Sequence, residues 1–270
     1  NSASSRKIII TVSASAPTLY YFCHYHSGMG GQANTNSTFG SSNFSGSIQS
    51  TVSANTDAGF SIVKFNKTTN SSTASTFGHG LSSVPEVIIL KRTDGTEDWY
   101  VYHTSLGNAA RVQLNSNSAK TQGTGVWGQT DPTSSVFTVK SFNAGEAIAY
   151  CFTEKKGYSK FGSYTGNGSS DGTFIFTGFR PAWIMQKKTS GTSNWVIYDN
   201  KRDPSNVVTQ ELKPDVTNAE SSFTNIDILS NGFKQRANYA YTNNSGGTYI
   251  YMAFAEAPFV NSNGVPTNAR

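Results

Sequence analysis

Cysteine, charge and long apolar runs are all scarce in this chain, and each scarcity closes off a class of protein. Two cysteines in 270 residues, Cys23 and Cys151, are too few for a disulfide-built scaffold. They fall in different predicted units, and Cys151, inside an apolar strand, reads as a buried thiol. Charged residues make up 14% of the chain and the formal net charge of +5 is spread thinly. The densest basic pairs, Lys155-Lys156 and Lys187-Lys188, form no stripe with interleaved aromatics, so nucleic acid is not expected as a partner. No apolar run approaches the roughly 20 residues that span a bilayer, and membrane insertion is not expected. Apolar residues never recur at the spacing of about 3.6 that an amphipathic helix requires. Gly-x-Ser-x-Gly elbows are missing, and no glycine-rich phosphate loop precedes a helix.

What the chain has in abundance is Ser, Thr, Asn and Gly, with aromatics at 13%. That mixture suits short strands joined by polar turns, and the aromatic content argues against a disordered chain. One stretch occurs twice. Pro85-Glu-Val-Ile-Ile-Leu-Lys-Arg-Thr, a turn at Asp94-Gly95-Thr, then Trp99-Tyr-Val-Tyr102-His103 is the first copy. Pro181-Ala-Trp-Ile-Met-Gln-Lys-Lys-Thr, a Ser/Gly/Thr turn, then Trp195-Val-Ile-Tyr198-Asp199 is the second. The copies lie roughly 96 residues apart, too long a period for a solenoid, so a duplicated β-domain is expected. The fold class expected is all-β: two tandem antiparallel β-sandwich domains plus a short N-terminal β-hairpin segment.

The units follow in order. Residues 1–31 form a distinct β unit, with strands at Ile8–Val12 and Leu19–Phe22. The chain opens at Asn1 and enters a strand almost at once, so it reads as the downstream part of a longer polypeptide. Residues 32–58 are a polar linker with room for one or two edge strands. Residues 59–156 are the first sandwich copy, closed by an almost wholly apolar strand at Glu146–Glu154, expected to be buried on both faces. Residues 157–270 are the second copy, closed by the matching strand at Thr248–Glu256 and followed by an Asn/Pro-rich tail.

Few residues offer chemistry. His79, between two glycines, has the position of a general base, yet an imidazole in a tight turn more often serves its own backbone. His103 aligns with Asp199, and loop anchoring is the plainer reading. Glu154 and Glu256 end equivalent strands of different copies and need not face each other as a hydrolytic pair would. Trp99 and Trp195 are expected to fill the sandwich cores. Trp127, in the Gly-flanked loop Gly125-Val-Trp-Gly128, is the aromatic expected to be exposed and is the candidate binding residue. No catalytic residue and no cofactor is expected, and the chain is not expected to be an enzyme.

Cys23-His-Tyr-His26-Ser-Gly-Met29 sets thiolate, imidazole and thioether at spacings that suit copper. The segment resembles the last hairpin of a cupredoxin, and the resemblance puts that family's ligands on Cys23, His26 and Met29. The family's remaining His has no counterpart in this chain. The alternative is that Gly28, Gly30 and Gly31 simply make a tight turn.

Longer phrases carry a second resemblance. Gly59-Phe-Ser-Ile-Val-Lys-Phe, Phe77-Gly-His-Gly-Leu-Ser-Ser-Val-Pro85 and Trp99-Tyr-Val-Tyr-His-Thr-Ser-Leu-Gly107 are similar to phrases of tail-fibre and related virion proteins of marine bacteriophages. So are Gly157-Tyr-Ser-Lys-Phe-Gly-Ser-Tyr-Thr-Gly-Asn-Gly168, Thr177-Gly-Phe-Arg-Pro181, Asn231-Gly-Phe233, Tyr249-Ile-Tyr-Met-Ala-Phe-Ala-Glu-Ala-Pro-Phe259 and Asn263-Gly-Val-Pro266. The Tyr20–Gly31 hairpin is similar to a cupredoxin-like module of such proteins. Together they span most of residues 7–266. The resemblance implies a virion structural protein, a tail fibre or tail-associated protein that contributes to host attachment through sandwich-end loops. Its implied partners are other virion proteins, further copies of the chain (a trimer by analogy) and a host cell-surface glycan or protein. Two alternatives stand beside it: a head-decorating or head-fibre protein, and a polysaccharide-binding lectin or glycan hydrolase.

Overall fold

The structure is a computed structural model, and it describes residues 19–22, 30–33, 40–123 and 125–256. Strands β1 (Leu19–Phe22) and β2 (Gly30–Ala33) pair as an antiparallel hairpin, with Gly30 and Gly31 in a strand and not in a turn; the strand expected at Ile8–Val12 lies outside the described residues. The first copy contains β3 (Ser41–Asn43), β4 (Ser50–Asn55), β5 (Phe60–Lys67), β6 (Ser75–Gly78), β7 (Val87–Arg92) and β8 (Tyr100–His103). It continues with β9 (Ala110–Gln113), β10 (Thr121–Gln122), β11 (Val136–Val139) and β12 (Gly145–Phe152). The second copy contains β13 (Ser159–Thr165), β14 (Phe174–Phe176), β15 (Pro181–Lys188) and β16 (Trp195–Asp199). It ends with β17 (Val208–Glu211), β18 (Ser221–Leu229), β19 (Gly232–Gln235) and β20 (Thr248–Ala255). The fold is all-β with two sandwiches; among the described residues one 3₁₀ turn, Thr104–Leu106, interrupts the strands.

The duplication is visible in the strand order. β5-β12-β7-β8 in the first copy matches β13-β20-β15-β16 in the second, and the pair β6-β11 matches β14-β19. Polar residues 41–55, within the stretch read as linker, supply β3 and β4, which extend the first sheet beyond β5. One correspondence breaks: β9 stays beside β8, whereas β17 joins β18 in the other sheet and keeps only the Ile197–Leu212 bridge to β16.

The sheets stack in four layers, because alternate side chains of the two middle sheets bury on opposite faces. On β7, Ile88 and Leu90 face β6 and β11, packing with Phe77 and Phe137, while Val87 and Ile89 face the other copy. On β20, Tyr249, Tyr251 and Ala253 face the β14-β19-β18-β17 sheet, while Ile250 and Met252 face the first copy. The cluster between the sandwiches therefore holds Val87, Ile89, Val101, Val112, Phe161, Met185, Trp195, Ile250 and Met252. Each such side chain contributes about 1.5–3 kcal/mol relative to exposure. Trp195 and the half-buried Trp99 belong to this inter-sandwich cluster, not to the separate cores expected for them. The reason is that their strands have two buried faces, and the Trp positions are on the outward-facing one of each sandwich.

Polar bonds cross the same boundary. Trp195 Nε1 donates to the Gln113 carbonyl at 2.8 Å, and Ser193 N donates to Asn117 O at 2.7 Å. Lys120 N donates to Thr189 O at 3.1 Å. In a low-dielectric interface these directional bonds fix the register that apolar packing alone leaves loose.

Candidate functional site

The two copies differ at the end of the sandwich that carries the turn after β7 or β15. A strand lysine holds that turn in both. Lys91 Nζ donates to Gly95 O and Glu97 O, and its counterpart Lys187 donates to Ser193 O. Burial pulls the Lys187 ammonium down to about 8, opposed by the nearby Asp215 carboxylate.

In the first copy this end is an open cleft of about 400 Å³, lined by Ser71, Ser72, Glu97, Tyr100, Ser141, Phe142 and Asn143. Each wall has a local cause. Asn70 Oδ1 accepts from Ser72 N (3.2 Å), Ser72 Oγ (2.7 Å) and Thr73 Oγ1 (3.0 Å), which folds the 70–73 turn and presents the two serines. Behind it the buried Lys67 ammonium donates to Thr69 O, Thr69 Oγ1 and Asn70 O at 2.7–2.9 Å. Desolvation lowers its pKa, and the Glu97 charge works against that shift. Glu97 is fixed because its Oε1 accepts the Asn143 N–H at 3.0 Å, with Arg92 Nη1 at 3.9 Å. Gly145 lets the chain pass close beneath: a Cβ there would lie 2.6 Å from Asp94 Oδ1 and 2.7 Å from Arg92 Nε. Tyr100 forms the aromatic wall, with the Phe142 ring edge-on at 6.2 Å and the Arg111 guanidinium 4.4 Å over its ring.

One carboxylate, three serine hydroxyls, an amide and the Tyr100 phenol can exchange hydrogen bonds with a polyhydroxylated ligand, and the tyrosine ring can pack on its apolar side. In the second copy the same end is filled. The buried Asn243 amide donates to Asn167 Oδ1, Ser169 O and Ala237 O, and Tyr249 Oη accepts from Asn244 N and donates to Ala240 O. Sequence reading missed the cleft because its residues come from three separate turns and the first residue of β8; the Ser/Asn density at 70–73 and 141–143 was the available signal.

The residues singled out from the sequence do not gather here. His79 is buried; its Nδ1 accepts Leu81 N at 3.2 Å and its Nε2 faces Thr133 O at 3.1 Å, and burial lowers its pKa. Thr177 plays the same part in the second copy, its Oγ1 accepting Phe179 N at 3.4 Å. His103 is buried between the sandwiches. Trp127 is a correction: it is 2% exposed in the first core, edge-on to Tyr102 at 5.7 Å, and so offers no free face. Gly125 and Gly128, at φ of +64° and +62°, turn the loop back and drop the indole inward. Glu154 is occupied by Phe161 N and Lys160 Nζ, both at 2.8 Å, and Glu256 by Lys201 and Asn200. Cys151 is a buried, free thiol, as read, with its pKa raised by burial. Cys23, His26 and Met29 lie outside the described residues. Among the described residues no cluster of three or more His, Cys, Asp or Glu is placed to hold a metal ion.

Neither the curated proteins nor the solved structures yield a match to this chain. The family described as a domain of unknown function, DUF7483, matches residues 33–258, which takes in both sandwiches, and the chain belongs to that family.

Proposed function

We propose that the protein is a structural component of a bacteriophage particle, a tail fibre or tail-associated protein that contributes to attachment at the host surface. The observation that carries this reading is the ordered run of phrases, from Gly59 to Phe259, similar to those of marine phage tail-fibre and virion proteins. Two features of the fold support it. Four stacked sheets with a shared middle core suit a particle component that must stay folded outside a cell. The hydroxyl-rich cleft at one end of the first sandwich suits contact with a cell-surface glycan, weak per site and strengthened by many copies on one particle. Its partners are then other virion proteins, further copies of the chain and the host surface.

Immunogold electron microscopy of a lysate of the source culture, with an antibody raised to residues 59–270, tests the reading. Gold on tail appendages is the expected result. Gold on capsids keeps the virion assignment and replaces attachment by a head-decorating role. Label on cells with none on particles overturns the phage reading.

A further inference from the structure

The duplication exposes a difference at one sheet edge. In the first copy, β6 pairs with β11 on one side, and His79 N donates to Ser135 O. That register turns the main-chain groups of Thr76 and Gly78 to the other side. The segment before β4 covers them. Ser47 N and Ile48 N donate to Thr76 O at 3.0 and 3.2 Å, Thr76 N donates to Ser47 Oγ at 2.9 Å, and Ser50 Oγ donates to Gly78 O at 2.8 Å. Asn43 lies so close over Gly78 that a Cβ there would meet its Oδ1 at 2.2 Å.

β14 is the second-copy equivalent of β6, and Ile175 points into its core as Phe77 does. Gln235 N donates to Thr173 O and Thr177 N to Asn231 O, so the N–H and C=O groups of Phe174 and Phe176 point away from β19. Among the described residues nothing covers that edge: the chain that precedes β13 is already used as β12. Phe174 and Phe176 stand 44% and 62% exposed on the outer face. Edge strands are usually blunted by being very short, or by charge, proline or a bulge. β14 is short, three residues, which limits how much it can pair, but Phe-Ile-Phe carries no charge, proline or bulge, and its neighbour Lys234 is paired with Asp171.

We propose that β14 is a self-association edge, pairing antiparallel with β14 of a second copy of this chain about a two-fold axis through Ile175. The outward groups of Phe174 and Phe176 are self-complementary: residue 174 of each copy faces residue 176 of the other, closing four main-chain hydrogen bonds. The same register sets Phe174 opposite Phe176 twice, as cross-strand aromatic pairs on one face. The axis joins the two β14-β19-β18-β17 sheets into one eight-stranded sheet. A contact this small gives a weak dimer in solution. The inference does not rest on where the protein acts, since it is read from the two copies alone.

Sedimentation equilibrium of the full chain, from micromolar to sub-millimolar concentration, measures the association. The expected result is a monomer–dimer equilibrium that Phe174→Lys/Phe176→Lys weakens by roughly tenfold or more. The thermal unfolding midpoint stays unchanged, because both rings are exposed. A monomer throughout the range overturns the proposal, and so does a dimer that the double-lysine variant leaves intact. A trimer overturns it too, since a two-fold edge cannot close one. Register is tested by mixing Phe174→Cys chains with Phe176→Cys chains under mild oxidation. Cross-linking in the mixture beyond that of either variant alone is expected, and equal cross-linking in all three samples overturns the pairing.

Discussion

The imidazole of His103, on the first sandwich, lies with Nε2 3.2 Å from the main-chain oxygen of Tyr251 on the second. Its Nδ1 accepts the Ser105 N–H at 3.2 Å, so the ring proton sits on Nε2 and is donated across the boundary. Burial drives the pKa from 6.5 to about 4, against the opposing pull of the Tyr251 carbonyl. Between pH 6.5 and about 4, the unfolded chain binds a proton that the folded chain does not. This group's contribution is therefore complete above pH 6.5 and is lost as the pH falls through that window, by roughly 3 kcal/mol in all. Urea unfolding at several pH values, for the wild type and His103→Asn, checks the sign: the difference between the two proteins should shrink toward pH 4.

Two buried tryptophans should respond differently to the same change. Trp195→Phe removes the shorter of two hydrogen bonds to the Gln113 carbonyl, leaving it only the Ser116 N–H at 3.4 Å, at a cost of about 0.5–1.5 kcal/mol beyond the lost volume. Trp127 Nε1 is buried without a partner, so Trp127→Phe removes an unsatisfied donor and should cost less. Denaturant midpoints of the two variants decide it; equal losses would count against the interface bond.

Gly80 and Gly178 occupy equivalent turns at φ of +71° and +83°. Alanine is strained at either by about 1–2 kcal/mol. At Gly80 the new Cβ would also press to 3.0 Å from Val52 Cγ1, whereas at Gly178 its nearest neighbour is the Phe176 ring at 3.7 Å. Gly80→Ala should therefore lower the unfolding temperature further than Gly178→Ala.

Filling the cleft should abolish ligand access without touching the fold. Ser71 is exposed at its rim and makes none of the hydrogen bonds that fold the 70–73 turn, so Ser71→Trp is expected to leave thermal unfolding unchanged. Binding of labelled protein to host cells should drop by roughly tenfold or more if the cleft makes the contact. Undiminished binding would move the attachment surface elsewhere.

Much of the architecture was legible because its signals are local. Pro85 with Trp99, and Pro181 with Trp195, mark the same hairpin twice, and the apolar run of Glu146–Glu154 announces a strand with two covered faces. What those signals cannot carry is the identity of the cover. Val87 and Ile88 are equally apolar, yet one faces the sister sandwich and the other its own partner sheet. Trp127 misled for a related reason: flanking glycines mark a turn but not which way it folds back. β3 and β4 are too polar to stand out; only Ile48 and Val52 mark them, and main-chain pairing to β5 does the rest. The cleft was the least legible feature, because turns more than sixty residues apart build it.

The cluster centred on Val87, Met185 and Trp195 bears on how such a chain can change over evolution. A β-sandwich with one apolar outer face is not a portable cassette: excised or recombined into another protein, it would carry a bare greasy sheet with it. The two copies must therefore travel together, and once fused they can specialise wherever the shared layer is not disturbed. Their ends are one such place, with one stapled shut around Asn243 and the other left open beside Tyr100.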